Sequence, residues 1–124
     1  RWQLMSRNKT EKKLFFSKTL DFLDRYLPDQ AMKSTNTIET YRDALTVFRR
    51  YVTDTLHLSI RSFGFEACTH DLLLDYLGFL NKNGNAATTC NNRLAAVRAY
   101  LWYAADGDIS LQSVALAASH VPLN

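Results

Sequence analysis

Short polar side chains crowd one stretch of the sequence, and a single arginine follows them. The stretch contains Thr88, Thr89, Asn91, Asn92 and Arg93. If a helix begins here, its first turn offers free backbone amides and the positive end of the helix dipole, which together attract an anion. Threonine and asparagine add neutral donors, and the arginine fork fits a phosphate or the edge of a guanine. The stretch therefore predicts contact with a phosphate-bearing ligand.

A second stretch repeats this composition earlier in the chain. Lys33, Ser34, Asn36, Thr37 and Thr40 surround the start of another predicted helix. Two helix starts of this kind suit the backbone and a groove of a nucleic-acid duplex. Serine, threonine and asparagine are also the ordinary N-cap residues of helices, whether or not a ligand is present. Composition alone leaves both interpretations open.

Other kinds of site find little support in the sequence. It has no Gly-rich phosphate loop, no HExxH zinc motif and no GxSxG nucleophile motif. The three histidines are isolated from one another, and Cys68 and Cys90 form no CxxC pair. The acids fall mostly on polar helix faces or at helix starts. We therefore expect no catalytic site, no metal and no cofactor.

Net charge does not by itself indicate a nucleic-acid-binding protein. The 124 residues include 15 Lys and Arg against 12 Asp and Glu, which gives a net charge of +3. Residues 1–13 contain five basic residues and one acid, so the rest of the chain is close to neutral. Any nucleic-acid contact must therefore depend on a local face. We interpret residues 1–13 as a flexible basic arm or an expression remnant.

The apolar pattern predicts helices throughout the chain. The few breakers, 4 Gly and 2 Pro, argue against a turn-rich β fold, and the length suits one domain. Ser34 or Asn36 and Thr69 are candidate N-caps, and Gly84 suits a left-handed turn. Apolar residues recur at helical spacing between these points. We predict an all-α, orthogonal bundle of four to five helices, near residues 14–27, 34–56, 69–80, 87–105 and 110–118.

Two helices carry expectations about individual residues. On the first, Leu20 lies on the apolar stripe, and Pro28 ends the helix because the residue before a proline is disfavoured in the α conformation. On the fourth, Ala96 lies off the apolar stripe, and Trp102 is expected in the core rather than against a partner. The apolar stripe of the fourth helix comprises Cys90, Leu94, Val97, Leu101 and Ala104.

The order and spacing of these pieces resemble the N-terminal, SAM-like core-binding domain of tyrosine recombinases, also called phage-type integrases. The family pattern has a helix ending near YLP, then S-x-x-T-x-x-x-Y-x-x-x-L-x-x-F, a leucine pair, a Gly-containing loop, and T-x-x-x-R-L-x-A-[VIL]-R-x-[FY]. Each motif is short, and their order makes the resemblance specific. It covers residues 14–120, and the segment 92–98 looks closest to integrases of mobile elements. The matching positions are Ser34, Thr37, Tyr41, Leu45, Phe48, Leu77, Leu80, Gly84, Thr89, Arg93, Leu94, Ala96, Val97, Arg98 and Tyr100.

The resemblance implies a DNA-binding module. The complete enzymes of the family clamp duplex DNA between this domain, through its second and fourth helices, and a separate C-terminal catalytic domain. Some members carry Lys or Arg where this chain has Thr40 and Thr88, so weak and salt-sensitive binding is expected of the isolated domain. The positions that match the family's DNA contacts are Lys33, Asn36, Thr37, Thr40, Lys82, Asn85, Thr88, Thr89, Asn92, Arg93 and Ala96.

The resemblance also implies a domain organisation. Residues 14–120 would form the core-binding domain after the arm at 1–13, and residues 121–124 would begin a linker to the catalytic domain. The family's catalytic arginine, lysine, His-x-x-Arg motif and tyrosine nucleophile belong to that second domain, so this chain is not expected to be an enzyme alone.

The expected partners are double-stranded DNA, the catalytic domain of the same parent chain, and other recombinase protomers in a synaptic complex during DNA integration and recombination. The sequence shows no apolar stretch that would span a membrane and no signal peptide, so we expect a bacterial cytoplasmic protein, nucleoid-associated when bound.

One alternative stays open from another class of function. The chain could be a helical protein–protein interaction module without DNA binding of its own. Such a module needs an exposed apolar patch of several hundred Å². Trp102, Tyr103 and the Ala-rich last helix are the candidates for that patch.

Overall fold

The computed structural model describes residues 13–122, and this part of the chain is a bundle of five helices. Helix α1 comprises residues 15–30 and helix α2 residues 35–55, and both change type along their length. They are followed by α3 (His70–Lys82), α4 (Ala87–Gly107) and α5 (Gln112–Ser119). Within residues 13–122 there is no strand, only one antiparallel bridge between Leu14 and Gly64. The prediction of an all-α bundle is confirmed.

The predicted helix starts are confirmed where a side chain caps them. The Ser34 hydroxyl accepts from the backbone amide of Thr37 at 3.2 Å at the start of α2. The Thr69 hydroxyl does the same for Leu72 at 3.1 Å at the start of α3. Gly84, in the turn between α3 and α4, has a φ of 84°, a conformation that costs little without a Cβ. Local sequence signals therefore fix the starts of α2 and α3 and the turn that follows α3.

Helix α1 differs from its sequence-based prediction in both phase and length. It begins as a 3₁₀ turn (Phe15–Lys18), passes through Thr19–Asp21 and continues as a π-helix (Phe22–Gln30) that contains Pro28. The prediction that Pro28 ends the helix is wrong, because the wider π spacing avoids the clash that a proline ring makes inside an α-helix. The change of helix type also shifts the apolar stripe, so Leu20 is 70% exposed and Phe22 is buried in its place.

Each π segment is followed, two residues after its end, by a residue in the left-handed backbone region. Met32 follows the first with a φ of 55°, and His57 follows the second, Tyr51–Thr55, with a φ of 56°. The chain reverses there, and backbone amides after the turn donate hydrogen bonds to carbonyls inside the π segment. The amide of Leu58, for example, donates to the carbonyl of Val52 at 3.0 Å. Neither residue is glycine, so each position carries backbone strain.

We expect the His57→Gly substitution to stabilise the domain. Glycine removes the steric cost of the left-handed conformation, and its larger unfolded-state entropy offsets only part of that gain. The free energy of unfolding should rise by about 0.5–1 kcal/mol, measured by urea denaturation. His57 is exposed and makes no hydrogen bond with residues 13–122, so the substitution removes no hydrogen bond. His57→Ala, which keeps a Cβ, is the control, and equal stability of the two variants would contradict the strain.

The core is a cluster of aromatic rings centred on Phe15. Its ring centroid lies between 4.7 and 5.5 Å from those of five other rings, which belong to α1, α2, α4 and the loop before α3. These edge-on and tilted arrangements are the favourable ones for aromatic pairs. The buried hydroxyl of Tyr100 donates to the carbonyl of Phe15 and accepts from the amide of Lys18 at 3.1 Å. The start of α1 is thereby fixed to the middle of α4.

Helix α4 is the central element of the bundle. It packs against α2, α3 and α5, and the predicted apolar stripe of this helix is buried as expected. Three further residues of α4 are also buried: Ala96, Tyr100 and Ala105. The prediction that Ala96 faces away from the core is wrong, because a helix with neighbours on several sides buries more than one stripe.

Residues on both sides of the predicted 14–120 domain contact the helical bundle. Lys13, assigned to the arm, accepts from the amide of Phe65 at 2.8 Å through its carbonyl, and its ammonium contacts Asp108. Val121, assigned to the linker, is buried. Arg98 on α4 donates to the carbonyls of Ala118 at 3.0 Å and of Val121, which caps the end of α5. The remaining residues of the predicted arm and linker, 1–12 and 123–124, lie outside the described residues.

The Lys13–Asp108 contact makes stability depend on pH. Hydrogen bonds from Lys13 and Ser110 lower the pKa of Asp108 to about 2. The folded state therefore favours the carboxylate, and the stabilisation is present above the ordinary carboxyl pKa and is lost as pH falls toward 2. We expect Asp108→Asn to be less stable than the parent at pH 7 and equal to it near pH 2, by urea denaturation.

Asp106→Asn provides the matched control for that experiment. Asp106 is exposed and makes no ion pair or hydrogen bond with the described residues, so its neutralisation should change the unfolding free energy by no more than about 0.5 kcal/mol. A constant stability difference between Asp108→Asn and the parent from pH 7 to pH 2 would show that the contact contributes nothing through charge.

Candidate nucleic-acid interface

Helices α2 and α4 form the two walls of an open cleft on the surface. Its volume is about 190 Å³, below the roughly 300–1,000 Å³ of ordinary small-molecule sites. Its walls are mainly polar, so it suits the edge of a larger polar ligand better than an enclosed metabolite. The lining residues are Thr40, Asp43 and Ala44 from α2 and Thr89, Asn92 and Arg93 from α4.

Arg93 supplies the positive charge of the cleft, and a hydrogen bond to Asn85 orients its guanidinium. Its Nη1 donates to the side-chain oxygen of Asn85 at 3.2 Å, and the Asn85 amide nitrogen donates to the carbonyl of Leu80 at 3.0 Å. This relay ties the guanidinium to the end of α3. Burial raises the pKa of the neighbouring Tyr76 hydroxyl, and the charge of Arg93 offsets only part of that effect. The remaining donors of Arg93 are available to a ligand.

The start of α4 lacks the side-chain cap found at α2 and α3. Ala86 occupies its N-cap position, and no side chain within residues 13–122 caps it. Thr88 and Thr89 lie inside the helix rather than before it, so ordinary capping does not explain them. The first-turn amides of α4 therefore remain available to an anion.

On α2, capping does explain part of the polar composition. The backbone amide of Thr37 donates a hydrogen bond to the Ser34 hydroxyl, and the Thr40 hydroxyl donates to the carbonyl of Asn36 at 3.0 Å. Lys33 is exposed just before the helix, with its amide donated to Leu27 at 2.8 Å. Only Thr40 of this group lines the cleft.

The other positions carried over from the family pattern are distributed around the cleft. Lys82, at the end of α3, and Thr88, in the first turn of α4, are exposed but do not line it. Asn85 acts through Arg93. Ala96 is 0% exposed, so it is not accessible to a ligand, and its place among the contact positions is a wrong prediction.

Asp43 lines the cleft but was not predicted from the sequence as a site residue. This residue lies three positions after Thr40, so the two share one face of α2, and that spacing was the available signal. Asp43 is exposed and makes no hydrogen bond or ion pair with the described residues. By contrast, Arg42 is held by Asp24 at 3.0 Å and by Glu39 at 3.4 Å. The net charge of the cleft is thus one arginine against one free carboxylate.

The described residues show neither a metal cluster nor a reactive Cys68 thiol. Within 13–122, no group of three or more His, Cys, Asp or Glu is placed to hold a metal ion. Cys68 and Cys90 are buried free thiols, and burial raises the pKa of Cys68 to about 12, so this thiol is unreactive at neutral pH. In the same range, no helix has the length and apolar character needed to cross a membrane.

One observation bears on the protein-interaction alternative. Trp102 is 39% exposed, so the prediction that it lies in the core is wrong. Its neighbour Tyr103 is turned inward, with its ring centroid 5.2 Å from that of Phe22 and its hydroxyl donated to Asp21. Packing around α4 places Tyr103 against α1 and leaves Trp102 on the outer side.

Comparison with known proteins gives one match. The family described as "Phage integrase, N-terminal SAM-like domain" matches residues 20–107, which include both walls of the cleft. Searches of curated proteins and of solved structures found no match. The matching domain is the non-catalytic N-terminal part of phage integrases. Because the match covers most of the sequence, the chain belongs to the N-terminal SAM-like domain family of phage integrases.

Proposed function

We propose that this chain is a DNA-binding module of a tyrosine recombinase and that it grips duplex DNA with α2 and α4. The observation that carries the proposal is the uncapped start of α4 beside Arg93, facing Thr40 across one cleft. Family membership supplies the class of ligand. The duplex would meet the surface on which free amides, neutral donors and one guanidinium converge.

Each part of the surface has a distinct role in this proposal. The first-turn amides of α4 bind a backbone phosphate, as helix starts do. Thr89 and Asn92 donate to phosphate or base-edge oxygens without adding charge, whereas Thr40, whose hydroxyl proton is bound by the carbonyl of Asn36, accepts from a base-edge amino group. Lys33 and Lys82, exposed near the cleft-forming helices, extend the phosphate contacts. The major groove, about 12 Å wide, admits a helix end of this kind.

Affinity should be low and sensitive to salt. The described part of the chain is close to neutral, and its cleft combines one arginine with one carboxylate. Few phosphates are therefore neutralised, and non-specific affinity follows the number of such contacts. The basic residues within 1–13 would add sequence-independent attraction.

The wider role follows from the family and is part of the same proposal. The module would serve DNA integration and recombination, in which strand cleavage and rejoining belong to a separate catalytic domain. Its partners would be that domain and other recombinase protomers on the same DNA. A bacterial cytoplasmic setting is consistent with this role.

An NMR titration of the labelled 124-residue chain with a generic duplex tests the proposal. Shifts should cluster at residues 33–40 and 85–93 at low salt and fade near about 150 mM salt, where charge interactions are screened. A duplex that produces no shifts at low salt, or shifts confined to residues 1–13, would contradict binding by α2 and α4.

A second candidate function rests on Trp102. Its exposure, together with that of Leu116 on α5 and Ile109 before it, fits a surface that meets another protein. This function gains weight if the duplex leaves the cleft residues unshifted. The two functions are compatible, because Trp102 lies about 15 Å along α4 from the cleft residue Asn92 at helical rise.

A further inference from the structure

Asp43 is an acid on a surface that we propose meets a polyanion. It lines the cleft on α2, facing Thr89 and Asn92 of α4. It is exposed and has no partner among residues 13–122, so no neighbouring cation neutralises it. A phosphate beside it would be repelled. The part of a duplex that enters the cleft next to Asp43 must therefore be something other than backbone.

The chemistry of a carboxylate restricts what it can accept. An ionised carboxylate only accepts hydrogen bonds. In the major groove, cytosine offers its N4 amino group and adenine its N6 amino group, whereas guanine and thymine present acceptors or a methyl group. Asp43 therefore fits cytosine or adenine and disfavours guanine and thymine.

Arg93 decides between these two bases. It lines the same cleft, and a guanidinium only donates hydrogen bonds. A C·G pair presents the N4 donor of cytosine beside the O6 and N7 acceptors of guanine, which match a carboxylate and an arginine fork together. An A·T pair instead separates its two acceptors, adenine N7 and thymine O4, on either side of the N6 donor, so an arginine fork cannot bind both while the carboxylate binds N6. The pair of side chains thus complements C·G.

The two side chains are also free to act on separate bases. No ion pair within the described residues involves Asp43 or Arg93, although their helices form the two walls of one cleft. Arg93 is oriented instead by the neutral Asn85 at 3.2 Å. A direct ion pair between them would occupy both groups, and the structure keeps them apart.

On the basis of the proposed function, we propose that Asp43 and Arg93 read one C·G base pair in the major groove. The cleft is then a base-reading site, and the uncapped amides of α4 and the flanking lysines bind phosphates. Asp43 lowers general affinity for DNA, because it repels backbone, and in return makes the bound position depend on sequence.

Selection from a randomised duplex library tests this assignment. The 124-residue parent chain and three variants, Asp43→Asn, Arg93→Lys and Asp106→Asn, are each mixed with the library at low salt, and bound duplexes are sequenced. The parent should enrich a C·G pair at one position by about tenfold. Asp43→Asn should lose that enrichment, because its amide donates as well as accepts and so tolerates other bases, and it should bind unselected duplex several-fold more tightly. Arg93→Lys keeps the charge without the planar fork and should reduce the enrichment.

Asp106→Asn makes the same change of charge on α4, about 20 Å along that helix from Arg93, and it should keep the C·G enrichment. Circular dichroism confirms that each variant is folded. Unchanged base preference in Asp43→Asn, or a parent that binds duplex without base preference, overturns the base-reading assignment and leaves the proposed function standing. A parent that binds no duplex overturns both.

Discussion

Replacing Tyr100 by phenylalanine is expected to lower the free energy of unfolding by about 2 kcal/mol, although only one oxygen atom is removed. The Tyr100 hydroxyl donates to the carbonyl of Phe15 and accepts from the amide of Lys18. Without it, two backbone groups at the start of α1 lose their partner, and an unsatisfied buried group costs about 1–3 kcal/mol. Urea denaturation followed by circular dichroism measures the difference.

Tyr76→Phe is the matched control and should have the opposite outcome. Tyr76 is equally buried, and its ring centroid lies 5.0 Å from that of Phe48. Its hydroxyl, however, finds no hydrogen-bond partner within residues 13–122. Removing a buried polar atom without a partner should leave stability within about 0.5 kcal/mol of the parent or raise it. Equal destabilisation by the two substitutions would contradict the bonding pattern of the aromatic core.

Substituting Arg93 by alanine is expected to weaken duplex binding by about tenfold or more, because a charge-assisted contact to phosphate or guanine is lost. Arg93 is the only cation among the residues that line the cleft in the described part of the chain. The fold should tolerate the change, since the guanidinium is half-buried and its hydrogen-bond partner is the neutral side-chain amide of Asn85. Fluorescence anisotropy with a labelled duplex at low salt measures the affinity.

Arg49→Ala controls for the loss of a positive charge. Arg49 is exposed on α2 and lies nine residues after Thr40, two and a half turns on and therefore on the opposite face. Its removal should reduce affinity by less than about twofold, the size of a screened long-range effect. Similar losses for Arg49→Ala and Arg93→Ala would mean that charge alone binds the duplex and that the cleft has no special part.

The features that the sequence predicted well are set by neighbouring residues. The caps at Ser34 and Thr69 and the left-handed Gly84 depend on a few adjacent positions, and all three are found. The family motifs position both cleft walls, because they combine caps with apolar spacing over α2 and α4. The approach of Thr40 to Arg93 follows from that arrangement.

The features that the sequence predicted poorly depend on distant contacts. Leu20 is exposed because helix α1 changes type, which no fixed period anticipates. Ala96 is buried because α4 has neighbours on several sides. Lys13 packs with the bundle through a contact with Asp108, which lies 95 residues later in the sequence. None of these is visible in a short window of residues.

The candidate site shows the same division. Polar donors at helix starts were recognisable by type, whereas Asp43 was overlooked because an acid is unexpected on a surface chosen for anion binding. Its position became significant only when α2 and α4 were seen to share a cleft. Side chains that discriminate between ligands can oppose the general charge preference of a surface, so they are hard to find from composition.

Helix α4 runs without interruption through all 21 of its residues, from the cleft to the aromatic core. The end that faces the proposed ligand is therefore part of the same rod that Tyr100 fixes to α1. A duplex would meet a surface that is already ordered, so binding carries little of the entropic cost of coupled folding. Calorimetry should show this as a small heat-capacity change on binding, since the cleft walls are mostly polar. The chain would then recognise DNA as a rigid body, with its binding thermodynamics separate from its folding thermodynamics.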